Sequence, residues 1–256
     1  MNQTTEQISF QLPPGYTSLT ALDRIKHAGL AITPGLNQAW SAKINSVFLN
    51  ATEMSKACID YPIAFVRDSN NGEYMPMALL SLRAGENLFV DGNGRWLPQA
   101  YVPAYVRRYP FCIVEMPARD GAEPERLIAM QAECLSASDR PYFNAKGEAT
   151  PEWEPVQKLI EIMEAARQQT RSFTRRLEAF GLFTAFDALA TPRNGGQNMR
   201  LLGLHRVDEE KLNALGTREQ KLLMRKGELR AVYAHLLSLE NFGKLLDLTQ
   251  QRSTPA

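Results

Sequence analysis

Cysteine is scarce in this chain. Cys58, Cys112 and Cys134 are the only three, and none has CxxC spacing, which argues against a disulfide framework and against a structural zinc site. Cys112 and Cys134 stand in apolar, strand-like runs, so buried thiols in a reducing compartment are expected. Histidine is as sparse. His27, His205 and His235 form no HxH or HxxxH pair, and no metal centre is expected. No apolar run reaches the roughly 18 residues that a membrane-spanning helix needs. Phosphate loop, dinucleotide fingerprint and GxSxG elbow are all missing. Neither sign of charge is in excess: 29 Lys and Arg face 28 Asp and Glu, a formal net charge of +1. No global field therefore draws the protein to nucleic acid or anionic membrane. The first sixteen residues have neither a basic n-region nor an apolar h-region, so no secretory signal is expected there. A cytoplasmic location follows as the expectation, with signal-independent export left open.

What is present is an ordinary globular balance, 44% hydrophobic and 22% charged over 256 residues, enough for one large domain or two small ones. Pro13-Pro14-Gly15 closes what reads as a flexible arm over residues 1–16. Thr17 to Ile32 suggests a short helix then a strand, and Ser46 to Lys56 another short helix. From Ile59 the texture becomes β-rich. Tyr61-Pro62 precedes an apolar run from Ile63 to Val66, Asp68 to Gly72 reads as a turn, and Met75 to Leu82 as the returning strand of a hairpin. Asn87 to Val90 reads as a third short strand. The layout then repeats: Tyr109-Pro110, a run from Phe111 to Val114, a loop with Asp120-Gly121, and a return from Leu127 to Cys134. The two hairpins suggest a duplicated pair in one antiparallel sheet, although two shared residues are thin support for a repeat.

After Ser138 the period lengthens. Thr150 and Pro151 suit an N-cap and first helical position. Val156, Leu159, Ile160, Met163, Ala166, Thr170, Phe173, Leu177 and Phe180 recur at helical spacing up to Gly181, one apolar face of a long amphipathic helix. Leu182 to Asn198 reads as loop and Met199 to Val207 as a strand. Asp208 suits the cap of a short helix over Glu209 to Leu215, and Thr217 with Gln220 forms a capping-box pattern for the next. Residues 228–250 read as one last helix. Strands first and helices later indicate an α+β fold, an antiparallel sheet of hairpins packed against C-terminal amphipathic helices. It is expected as a single domain over residues 17–250, β-rich over 59–135 and helix-rich over 150–250, with a frayed tail from 251 to 256.

Two clusters carry candidate chemistry. The first is Glu86, Asn87, Asp91, Asn93, Arg95 and Trp96, with Tyr101 and Tyr105 beyond. Carboxylates, amides and an aromatic face are what a sugar-binding surface uses. The competing interpretation is a polar turn before a core tryptophan, since Asp-Gly and Asn-Gly are turn dipeptides first. An EF-hand is ruled out by Val102 standing where its last glutamate belongs. The second cluster is Arg107-Arg108 beside Tyr105 and Tyr109. Paired guanidiniums grip phosphate or carboxylate; the alternative is one ion-paired arginine, with Glu86 for instance, and one on the surface. A Cys–His dyad such as Cys58 with His205 is a remote third candidate.

The phrases YPIAF, GEYMPMALLSL, GENLFVDGNGRW and YVPAYVRRYPF, with GLHRVDEEKLNAL and GELRAVYAHLLSLENFGKLL further on, closely resemble the bacterial SapC family over about residues 25–248. The family takes its name from a surface-layer locus. Members are often encoded near outer-membrane nutrient receptors, which the resemblance extends to a setting in envelope-glycan physiology. It supplies no catalytic or ligand-binding residue. The permease label some members carry does not suit a chain without a transmembrane segment. The reading is an accessory or binding protein, without a cofactor, for a glycan or small molecule at the turn face of Glu86, Asn87, Asp91, Arg95, Trp96, Tyr105, Arg107 and Arg108. Two alternatives stand beside it: an enzyme acting on a sugar or peptide through the same carboxylates and arginines, Glu86 and Asp91 foremost, and an interaction subunit that meets a protein partner through its helical half.

Overall fold

The computed structural model of the chain describes residues 12–116, 125–190 and 199–253. In chain order, the first half contains strands β1 (Thr20–Ala21), β2 (Leu30–Ile32) and β3 (Ser46–Phe48), helix α1 (Met54–Ala57), strands β4 (Ile63–Arg67) and β5 (Tyr74–Leu79), helix α2 (Ala104–Arg107), and strands β6 (Phe111–Met116), β7 (Glu125–Met130) and β8 (Leu135–Ala137). The second half holds helix α3 (Trp153–Ala179), strands β9 (Phe183–Ala190) and β10 (Met199–Val207), and helices α4 (Glu209–Asn213), α5 (Thr217–Arg225), α6 (Glu228–Ser238) and α7 (Asn241–Ser253). Antiparallel sheets dominate the N-terminal half and helices the C-terminal half, so the fold is α+β.

Both hairpins form from the apolar runs expected to pair, β4 with β5 and β6 with β7; the expected Asp120-Gly121 loop of the second lies outside the described residues. In β4–β5 Ile63 faces Ala78 and Arg67 faces Tyr74. The Asp68 and Asn71 side chains accept the Asn70 and Glu73 N–H groups across the turn. The hairpins do not share a sheet, however. The first lies in a five-stranded sheet ordered β3-β5-β4-β10-β9, the second in a three-stranded sheet ordered β1-β7-β6, and β2 pairs with β8. A repeated Tyr-Pro entry specifies a local hairpin; it does not specify which distant strand covers each edge. β4 is central, and Ile63, Ala64 and Phe65 are all fully buried, as expected for an uninterrupted apolar run covered on both faces.

Several other expectations change. Thr17 to Ile32 forms turns between β1 and β2 without a helix, and Ser46 to Lys56 splits into β3, a 3-10 turn over Ala51–Glu53 and α1. Asn87 to Val90 is not a strand; Val90 alone bridges to Trp96. The Asn87 Oδ1 takes the Phe89 N–H, which competes with a ladder, and Arg252 of α7 occupies the carbonyls of Asn87, Leu88 and Val90. Leu182 to Ala190, read as loop, is mostly β9, paired along β10 with a bulge between Leu201 and Leu204. The last helix is two, α6 and α7. The Asn241 amide at the break donates to the carbonyls of Cys58 and Tyr61, so tertiary docking interrupts a sequence of good helix formers. Thr150 donates its hydroxyl to the carbonyls of Pro141 and Tyr142 rather than capping α3, and Gly216, not Thr217, is the cap of α5. Asp208 caps α4 as read, through the Lys211 N–H.

The apolar face of α3 joins two cores. Phe173 and Leu177 pack in the larger one with Phe65 and Val207, while Trp153 and Ile160 lie in the smaller one with Phe111, Met130 and Phe143. Each such side chain contributes about 1.5–3 kcal/mol on burial. The end of the expected arm is docked: Tyr16 is buried and donates its hydroxyl to the Phe111 carbonyl at 2.8 Å. Gly15 (φ +88) makes this approach possible, because a Cβ there would meet the Trp40 ring at 2.5 Å.

His235 of α6 pins this helix to the five-stranded sheet. Its Nε2 accepts the Val207 N–H at 3.0 Å and its Nδ1 donates to the Ile63 carbonyl at 2.8 Å, which requires the neutral Nδ1–H tautomer. Burial holds the imidazole down to about 4 from the ordinary 6.5, against the opposing Ile63 bond. Between those values the unfolded chain binds a proton that the native chain refuses. The contribution is thus complete above pH 6.5 and is lost as pH falls through 4. The thermal midpoint is expected to drop across this window. His235→Gln should be less stable at neutral pH and should lose that part of the acid slope; an unchanged slope in the variant would show that His235 does not set it.

Candidate functional site

The turn face anticipated as a binding surface is held by its own backbone. Asp91 Oδ1 accepts the N–H groups of Asn93 at 2.9 Å and Arg95 at 2.8 Å. Asn87 is buried and donates to the Ser41 carbonyl at 3.1 Å. Glu86 accepts the Ser81 hydroxyl at 2.6 Å. Gly94 (φ +74) packs so tightly that a Cβ would lie 2.7 Å from that of Ala39. Trp96 is 6% exposed, and its indole N–H donates to the Tyr61 hydroxyl at 3.0 Å; Tyr61 in turn donates to the Tyr101 carbonyl. The ring therefore belongs to the core and offers no face to a sugar. Of the cluster's side chains only Asn93 and Arg95 are exposed. Glu86 and Asp91 are engaged separately and do not converge.

The organiser of this region is Glu53, a residue not singled out from sequence. Its buried carboxylate accepts the Tyr101 hydroxyl at 2.8 Å and the Ala104 N–H at 2.6 Å through Oε1. Its Oε2 accepts the backbone N–H of Asn50 at 3.1 Å and the Asn50 amide at 2.7 Å. Arg107 lies 3.6 Å away and also over the Tyr101 ring. One signal was available: Asn50-x-x-Glu53 has capping-box spacing. Because Ala104 opens α2, Glu53 fixes the direction in which the arginine pair leaves the helix. Arg107 turns outward to its carboxylate, which is Glu53 and not Glu86. Arg108 turns inward.

Arg108 lines a cleft at the junction of the two larger sheets, roofed by α3. One lobe, about 400 Å³, runs between Phe48, Phe111, Val114, Ile160 and Met163. The other, about 380 Å³, runs along Tyr74 to Met77. Tyr105, Arg108, Glu115 and Arg167 border both lobes. Each is within the size range of ligand pockets, about 300–1,000 Å³. Most cleft charges are neutralised in place. Arg167 bonds Glu164 and Glu115, and Arg171 bonds Glu73; these partners hold the Glu73 and Glu164 carboxyls below their ordinary range. Arg108 differs. No carboxylate among the described residues lies within ion-pair distance of it. Its Nε is sealed from solvent without a hydrogen-bond partner, and its guanidinium stands 4.5 Å above the Tyr105 ring. Asn50 also borders this lobe. Its side chain leans over the first turn as a loose capping box, and Oδ1 lacks a hydrogen bond of normal geometry.

The SapC family model matches residues 22–245. The chain belongs to the SapC family. No curated protein and no solved structure matches it significantly. In this SapC-family chain the phrase YVPAYVRRYPF is α2 and the entry to β6, and GENLFVDGNGRW is the turn face that supports it. The signature block thus encodes the framework that aims Arg108. The Cys–His candidate is not assembled. Cys58 turns its thiol to the Ser55 carbonyl and burial pushes its pKa up, opposite to what a nucleophile needs, while His205 stands edge-on to Tyr74 in the sheet. Among the described residues no group of three His, Cys, Asp or Glu is placed to hold a metal.

The two arms of the turn face separate in stability. Trp96→Ala is expected to cost about 3–5 kcal/mol, as for a core aromatic, and Glu53→Ala about 3 kcal/mol through the donors it strands. Arg95→Ala should stay within about 0.5 kcal/mol of the parent. Urea unfolding measures all three. A Trp96→Ala chain of parental stability would return the ring to the surface.

Proposed function

We propose that this SapC-family chain is an accessory binding protein whose ligand occupies the α3-roofed cleft. Its setting is surface-layer or envelope-glycan physiology, which rests on the family's surface-layer association. The observation that carries the reading is Arg108, a half-buried cation aimed along a ligand-sized cleft without a charged partner among the described residues. Unpartnered buried polar groups are rare enough in folded proteins to call for a role. The apolar stretches of wall and the one cation without a charged partner among the described residues suit a small molecule better than a glycan, whose many hydroxyls need many polar partners. Acid–base chemistry through Glu86 and Asp91 is not favoured, since the two carboxylates are held apart, Glu86 on the Ser81 hydroxyl and Asp91 on the backbone N–H groups of its own turn. A second reading, a protein-interaction surface, draws support from Tyr233 and Leu237. They lie one turn apart on α6 and are 43% and 67% exposed.

A neutral apolar dye, Nile red, is expected to bind the parent saturably. Val114→Trp and Met163→Trp fill the first lobe from opposite walls and should each reduce dye binding, with the unfolding midpoint kept within a few degrees. Undiminished binding in both filled variants would remove the cleft as the site.

A further inference from the structure

The cleft has a charge balance that restricts what it accepts. Arg167 and Arg171 are matched by Glu115, Glu164 and Glu73. Among the described residues, the side chains that interact directly with Arg108 are neutral: Tyr16, Tyr105 and Cys112. Tyr16 and Tyr105 donate their hydroxyl protons to the carbonyls of Phe111 and Pro14, at 2.8 and 2.7 Å, which leaves only oxygen lone pairs for the guanidinium. Burial pushes the Tyr105 phenol up to about 12 and the Tyr16 phenol well above its ordinary value, although Arg108 pulls both down. Burial likewise raises the Cys112 thiol on the same wall. None of the three supplies a negative charge at neutral pH. Arg108 is therefore solvated by phenol oxygens and an aromatic face, arrangements that hold a guanidinium in place without neutralising it.

We propose that the cleft takes an apolar monocarboxylate, its carboxylate on Arg108 and its hydrocarbon or aromatic body along Phe48, Val114 and Met163. This rests on the cleft reading above and narrows it. One uncompensated cation calls for one negative charge. A phosphate dianion would bring a second charge toward the nearby carboxylates of Glu115 and Glu164, which disfavours it through repulsion. A neutral ligand would cover the guanidinium and leave it without a counter-charge, a cost that favours the acid over its amide. A carboxylate also matches the planar fork of Arg through paired N–H donors.

Displacement of Nile red from the cleft tests the proposal. The competitors are octanoate and indole-3-acetate, their primary amides, and inorganic phosphate. Both acids are expected to displace the dye saturably, while the amides compete about 10- to 100-fold more weakly, the range of one charge-assisted contact, and phosphate does not compete. Arg108→Met should keep dye binding and lose the preference for acids over amides. Arg108→Lys should retain part of it, because the charge remains and the fork is lost. Amides competing as well as acids, phosphate competing as well as acids, an unchanged preference in Arg108→Met, or no displacement by either acid at millimolar concentration would each overturn the assignment. In those cases dye binding that is still blocked by Val114→Trp or Met163→Trp leaves the cleft as the site, and only the ligand class is lost.

Discussion

The buried carboxylate of Glu53 joins two distant chain segments, residues 50–53 and 101–107, and much of the framework follows from satisfying it. A carboxylate removed from water is costly unless its lone pairs are used. Here the Asn50 N–H and amide, the Tyr101 hydroxyl and the Ala104 N–H use them, and Arg107 supplies a charge at the rim. Those bonds fasten the 3-10 turn after β3 to the start of α2. The Tyr61 hydroxyl, held by Trp96 and bonded to the Tyr101 carbonyl, adds the first hairpin to the same assembly. The long polar stretch between the hairpins is therefore tied down as a strut, with Asn87 and Trp96 turned inward and Asn93 and Arg95 exposed.

α3 supplies the second constraint. It is long enough to reach both cores, with Trp153 and Ile160 in one and Phe173 and Leu177 in the other. Strands of both hairpin sheets, β5 and β6, pack against it, and the cleft is lined by residues of both sheets and of the helix. Alternating arginines and glutamates on the helix and strands close most of the charge around that space. Of the three arginines lining the cleft, only Arg108 has no counter-charge among the described residues. Strut, helix and cleft thus form one chain of cause from the packing of the signature block to the electrostatics of a single side chain.

Local patterns read correctly wherever a short stretch decides its own conformation. The Asp68 to Gly72 turn, the apolar run of β4, the helical period of α3 and the Asp208 cap all formed, because turn chemistry, alternation and capping act over a few residues. Patterns failed where a distant partner intervened. Arg252 took the carbonyls that a strand at Asn87 to Val90 would have used, and Asn241 broke a continuous helix by docking on Cys58 and Tyr61. The site followed the same division. Arg108 stood among the named residues, but so did Trp96, Asn87 and Asp91, and residue type alone does not distinguish a side chain that faces a cleft from one that supports it. Glu53 and the cleft-lining arginines of α3 escaped notice, since nothing in their immediate neighbours marks them as near residues 101–108.

By itself, the sequence determined the α+β class, the hairpins, the long helix and membership of the SapC family, all of which depend on short-range periodicity and on phrases read in order. Tertiary structure alone decided that the hairpins lie in separate sheets, that Trp96 is core, and that of two adjacent arginines one meets a carboxylate and the other meets none among the described residues. Those outcomes depend on which long-range partner reaches each polar group first, a competition settled by packing across the whole chain.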